Sequence, residues 1–315
     1  MHVSDALISP PVAAVGGLIS ISLIAIASRK VKETSRHDII PLMGVLGAFV
    51  FAAQMINFTI PGTGSSGHLI GGILLSALLG PWCAFITLSS IIIVQCLVFA
   101  DGGLLALGCN ILNMAATSCL IAYPLVYKPI AGKSIKPLRI GIASVLSSVI
   151  GLEIGALGVS LETVFSGITA LPFLSFIKFM LPIHFVIGSV EGLVTASLLL
   201  FVAANRPYLL STESSNQKNK RNNVIFYVFG ALTLIFACGF SVLASENPDG
   251  LEWSIEKVAG MQDWDNGNIA PSLIPDYNSQ FSGIIGALIV LSIIWCFSAL
   301  LFSRIKRSSL KRSDK

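Results

Sequence analysis

The chain has 315 residues, 54% of them hydrophobic and only 11% charged, with a mean hydropathy of +0.83, whereas soluble chains carry about 25% charged residues. A secreted enzyme, a soluble domain and a nucleic-acid reader are excluded, and the bilayer becomes the solvent that the fold must satisfy. The net charge of +4 takes its meaning from where the cations lie.

They cluster: Arg29, Lys30, Lys32 and Arg36, then Lys128, Lys133, Lys136 and Arg139, then Arg206, Lys218, Lys220 and Arg221, then six beyond residue 303. Positive residues flanking spans stay cytoplasmic, so four loops or tails are expected inside. Apolar runs fill the gaps at 7–28, 39–56, 68–81, 83–100, 104–127, 140–159, 181–204, 224–244 and 281–303. Counted back from the basic C-terminus, they predict nine helices, N-terminus outside and C-terminus inside.

At the start, Met1 to Gly17 has no positive n-region and Pro10-Pro11 interrupts the apolar run. The N-terminus is therefore expected to stay intact rather than be cleaved as a signal peptide. Small residues of the first helix, Ala13, Ala14, Gly16 and Gly17, permit close docking of another helix. The run 68–81 is short for a span and follows the uncharged, turn-rich stretch 57–67. That loop is expected to dip into the protein body, which irregular backbone tolerates only when buried in protein or lining a cavity. Residues 160–180, broken by Gly167 and Pro172, read as an outer re-entrant or interfacial piece.

The fold class is an all-α integral membrane protein, a seven-helix bundle plus a two-helix C-terminal module. Residues 1–205 form the first domain, the polar stretch 206–223 a cytoplasmic linker, and 224–303 the second module, with 304–315 as a basic tail. The exterior loop 245–280 holds seven acids and one base, without His or Cys. Carboxylates suit harder ions than a planar nitrogen site does, so this module is expected to modulate function without supplying ligands. Cys83, Cys96, Cys109, Cys119, Cys238 and Cys296 all fall in apolar runs and read as small core residues.

Four histidines carry most of the chemistry: His2, His37, His68 and His184. His37 sits in a basic loop and reads as a surface residue; the other three fall on the exterior side. A chain opening Met1-His2 offers three nitrogen donors, namely the terminal amine, the His2 amide nitrogen once deprotonated, and the His2 imidazole. They close a five-membered and a six-membered chelate ring in one plane, which suits Ni(II) or Cu(II). A bulky second residue also disfavours removal of Met1. His68, at the end of the Gly-rich loop, is the candidate fourth donor.

Asp101 in Asp-Gly-Gly reads as a helix-ending turn. Asn57, Gln95, Asn110 and Asn113 lie in or beside spans, where buried amides usually crosslink helices. His184 and Glu191 share a helix face, two turns apart, and offer either an acid–base pair or a structural hydrogen bond. Ala131-Gly132-Lys133-Ser134 imitates the end of a phosphate-binding loop, but Tyr127 stands where its first Gly is required. No nucleotide or catalytic site is expected, and no cofactor.

Several motifs recur in order: Met1-His2-Val3-Ser4-Asp5, Asn57-Phe58, Pro61-Gly62, Gly67-His68-Leu69-Ile70-Gly71-Gly72, Gly80-Pro81-Trp82, Gln95, Phe99-Ala100-Asp101-Gly102-Gly103-Leu104, Asn110-Ile111, Asn113-Met114, His184-Phe185-Val186-Ile187-Gly188 and Glu191-Gly192. Over about the first 205 residues they resemble the nickel/cobalt-binding S components of energy-coupling factor transporters, the NikM/CbiM type. Pro248-Asp249-Gly250-Leu251-Glu252-Trp253 resembles the PDGLE motif of the small NikN-type subunit, so the chain resembles a fusion of the two.

The resemblance implies a substrate-binding bundle that captures Ni(II) or Co(II) with Met1, His2 and His68. It also implies partners, a transmembrane coupling subunit and ATPase subunits, in the cytoplasmic (inner) membrane. Ala6 and Thr59 stand where the family usually has Gly and Pro, a departure that touches the loop more than the ligands. The competing classes are a membrane enzyme using His184 and Glu191, and a scaffold that binds no metal.

Overall fold

The computed structural model describes residues 1–33, 39–132, 136–169, 171–205, 224–238, 245–260 and 284–294, with Pro207, Leu210 and Leu273. His37, Lys133 and Ser134, the central linker and the basic tail lie outside the described residues.

Five helices are long and apolar enough to cross a membrane: α1 (Pro10–Glu33), α4 (Pro81–Phe99), α5 (Leu107–Ala131), α6 (Pro137–Ser166) and α7 (Phe173–Asn205). Shorter apolar helices are α2 (Ile39–Gln54), α3 (Gly72–Leu79), α8 (Val224–Cys238) and α10 (Ile284–Ile294). Helix α9 (Gly250–Ala259) lies in the acidic loop between the last two. The described chain is thus predominantly helical, and it forms a multi-pass membrane protein.

Two features differ from expectation, and a third meets it. The segment 160–180 is not a separate piece: α6 runs through Ser166 and α7 starts at Phe173. At 1.5 Å per residue these helices are about 45 and 50 Å long, so their ends project past a hydrocarbon core of about 30 Å. The Gly-rich loop contains a two-stranded antiparallel hairpin, β1 (Phe58–Ile60) and β2 (Ser65–Gly67), with Thr59 opposite Ser66. The small residues of α1 serve packing within the chain: Gly16 and Gly17 lie directly against Gly108 and Cys109 at the start of α5.

Helix α3 spans only about 12 Å and is almost wholly buried, and the chain enters it directly from the Gly-rich loop. The second module leans on α2, where Phe49 meets Phe229 edge-on at 5.1 Å and Phe236 at 5.7 Å. Cys83, Cys96, Cys109 and Cys119 are buried thiols, as expected of small core residues.

Candidate metal centre

The first residues are extended and need partners for their backbone polar groups once buried. Asn110 supplies two of them: its Oδ1 accepts from the Val3 amide at 2.7 Å and its Nδ2 donates to the Val3 carbonyl at 3.0 Å. The Gly103 amide adds a 2.9 Å bond to that carbonyl. Asp5 then accepts from the amides of Leu105 and Ala106 at 2.8 and 3.2 Å. Met1 and His2 are thereby laid against the start of α5.

His68 follows the hairpin, and the backbone beyond it is clamped. The Ile70 and Gly71 amides both donate to the Glu191 carboxyl at 3.0 Å. Gln54 donates to the Ile70 carbonyl at 2.8 Å, and Gln95 donates to Gln54 at 2.8 Å. Gly71 has φ +78°, in the left-handed region, which a side chain disfavours. The His68 Nδ1 donates to the Leu69 carbonyl at 3.2 Å. Because a carbonyl only accepts, Nε2 carries the lone pair, and it faces the Met1 amine at 3.3 Å. The His2 and His68 rings stack 5.2 Å apart and 16° from parallel. Burial, reinforced by the nearby terminal ammonium, lowers His68 from 6.5 to about 3, so its imidazole is neutral at ordinary pH.

Two carboxylates border these nitrogens. The Asp101 Oδ1 lies 3.0 Å from the His2 Nδ1, so this residue does more than end a helix. Burial alone raises Asp101, but the adjoining His2 outweighs it and brings the group down to about 2. The Asp249 Oδ2 accepts from the Met1 amine at 2.6 Å. Burial again opposes ionisation there, and the ammonium overrides it, holding Asp249 well below the usual carboxylate range. The module expected to supply no ligands thus touches the amine of Met1, one of the donors expected from the sequence. A cavity of about 270 Å³ opens over the cluster, lined by His2, His68, Asp101, Asp249 and Glu252 among others. Among the described residues no group of three or more His, Cys, Asp or Glu side chains is arranged to hold a metal ion; the donors brought together here include main-chain nitrogen.

His184 and Glu191 are not arranged as an acid–base pair. The His184 Nδ1 is tied to the Met180 carbonyl at 2.7 Å within its own helix, and both Glu191 oxygens are occupied by the loop amides. Of the other amides, Asn113 donates to Glu162 at 2.6 Å, a crosslink between α5 and α6. The Asn57 carbonyl accepts from the Ser245 amide at 2.8 Å. Asp249 was not among the donors expected from the sequence, although its motif was conspicuous.

A bundle of apolar helices with nitrogen atoms gathered in a buried cluster is compatible with a membrane protein that handles metal ions, and the known relatives place the chain among metal-transport membrane proteins. The family model for the cobalt uptake substrate-specific transmembrane region, CbiM, matches residues 2–209, and the PDGLE domain matches 222–303. The chain belongs to the CbiM family, as a NikM/CbiM-type region fused to a NikN-like PDGLE module. A putative fused nickel transport protein NikMN of Archaeoglobus fulgidus is 30% identical over 93% of this chain and 96% of its own length. The fused nickel transport protein NikMN of Rhodobacter capsulatus is 29% identical over 81% of this chain and 76% of its own. A crystal structure described as a truncated transition metal transporter is 28% identical with a TM-score of 0.58, covering 65% of this chain and 99% of that one.

Proposed function

We propose that this chain is the substrate-binding subunit of an energy-coupling factor importer, and that its cargo is Ni(II) in preference to Co(II). The ion is taken by four nitrogens: the Met1 amine, the His2 amide and imidazole, and the His68 imidazole. The observation that carries this reading is the 3.3 Å approach of the Met1 amine to the His68 Nε2 across 67 residues of sequence. Metal–nitrogen bonds of about 2 Å meeting at a right angle set two donors about 2.9 Å apart, so a shift of a few tenths of an ångström suffices. The His2 Nδ1, which closes the six-membered ring, rests on Asp101, and the imidazole turns from that carboxylate to reach the ion. Planar nitrogen donation with an ionised amide favours nickel.

Residues 1–205 form the seven-helix binding domain, 206–223 the linker and 224–303 the second module, with N-terminus outside and C-terminus inside the cytoplasmic membrane. The transmembrane coupling subunit and the ATPase subunits are separate chains, and no catalytic site is assigned to this one. A membrane enzyme built on His184 and Glu191 is disfavoured by the full engagement of Glu191 with the loop backbone. Elemental analysis of the purified chain after exposure to equal Ni(II) and Co(II) tests the reading. One nickel per chain is expected; no stoichiometric metal supports a scaffold, and one cobalt reverses the preference.

A further inference from the structure

The motif Pro248-Asp249-Gly250-Leu251-Glu252 seats one carboxylate oxygen on the terminal amine. The Ser66 amide donates to the Pro248 carbonyl at 2.8 Å, and the Ser66 hydroxyl donates to the Asn247 carbonyl at 2.8 Å. Residues 66 and 249 thereby form a parallel bridge, which lays this segment along β2 of the hairpin. Trp253 fixes the far side, its Nε1 donating to the Thr63 carbonyl at 3.0 Å.

Each position of the motif has a steric or hydrogen-bonding reason. The Asp249 Oδ1 accepts from the amides of Leu251 and Glu252 at 2.8 and 2.9 Å, while the Glu252 carboxylate accepts from the Asp249 amide at 3.3 Å. That reciprocal arrangement is a capping box at the start of α9. A Cβ at Gly250 meets Ile187 Cδ1 at 3.0 Å and His184 Cε1 at 3.1 Å, so a side chain there requires these neighbours on α7 to give by a few tenths of an ångström. Leu251 is buried beneath. With Oδ1 committed to the cap, Oδ2 alone points at Met1.

We infer that Asp249 is a positioning residue for the cargo metal, and that the second module takes part in binding by orienting the terminal amine. The inference rests on the nickel reading above. An amine bound to a metal keeps two N–H bonds, and one of them donates to Oδ2, which fixes the direction of the nitrogen lone pair. Partners that orient a metal ligand in this way are typically worth 10–100-fold in metal affinity.

The test uses the full chain in detergent, titrated with NiCl₂ by calorimetry, with the visible band of planar nickel recorded at saturation. Asp249→Ala is expected to weaken binding 10–100-fold. Asp249→Ser keeps a helix-capping oxygen but is too short for the amine; it is expected to bind as weakly as the alanine variant while melting close to wild type. Asp249→Asn has a single acceptor oxygen, which stays on the cap, and turns its NH₂ toward the amine; it is expected to bind as weakly as the serine variant while melting close to wild type. Wild-type affinity in the serine or asparagine variant, or tighter binding in any of the three, overturns the inference. His68→Ala is run alongside: if it binds nickel like wild type, the four-nitrogen reading itself fails. If it loses nickel while the Asp249 variants do not, only the role of Asp249 fails.

Discussion

Replacing Glu191 tests whether the helical scaffold fixes His68 through the backbone. Its two oxygens accept from the amides of Ile70 and Gly71 at 3.0 Å each, and the side chain is 1% exposed. Glu191→Ala leaves two buried N–H groups without an acceptor, each costing about 1–3 kcal/mol, so a loss of about 2–6 kcal/mol is expected. Glu191→Gln keeps one acceptor oxygen and turns an amine group toward the other N–H, so roughly half that loss is expected. Thermal unfolding in detergent reads the stability, and nickel calorimetry below the melting range reads the site. The alanine variant should melt earlier and bind nickel at least tenfold more weakly, because residues 68–71 lose their anchor. An alanine variant that melts and binds like wild type refutes the clamp.

Three further outcomes follow from the same geometry. Because burial holds the His68 imidazole at about 3 instead of 6.5, its ¹⁵N signals in the metal-free chain should not titrate between pH 5 and 8; a midpoint near 6.5 contradicts the burial. The unfolded imidazole takes up a proton below about 6.5 and the folded one does not, so this residue lowers stability as pH falls from there toward 3. Gly250→Ala should cost about 1–3 kcal/mol through overpacking against Ile187 and His184, read as an earlier melt. For the topology, a cysteine at position 214 should label only from the cytoplasmic side and one at 266 only from outside; the reverse pattern overturns the orientation.

Apolar runs and basic clusters located the long helices because a bilayer demands about 20 apolar residues per span, a constraint visible in composition alone. The ends of α6 and α7 were harder. Gly167 and Pro172 marked the turn, but helix that continues beyond the hydrocarbon has no hydropathy signature. The hairpin at 58–67 was read as a loop because three-residue strands carry little periodicity, and β2 is completed by residues 247–249, far away in sequence. Met1, His2 and His68 were legible as candidate donors since their chemistry is local to each residue. Asp249 was not, because its meeting with Met1 is a property of the tertiary fold. The spacing of Asp249 and Glu252 is that of a capping box, and reading 245–280 as a loop passed over the helix α9 that it starts.

The central claim is that the terminal amine itself binds the metal, and blocking that amine tests it most directly. A chain that retains a formyl group on Met1 keeps every side chain and its register but carries an amide nitrogen where the amine would close the five-membered ring with the His2 amide. Calorimetry with NiCl₂ on this chain and on the unblocked one, both confirmed by mass spectrometry of the intact N-terminus, should give one nickel per unblocked chain and no high-affinity binding in the formylated one. Equal stoichiometry and affinity in the two chains contradicts the four-nitrogen site.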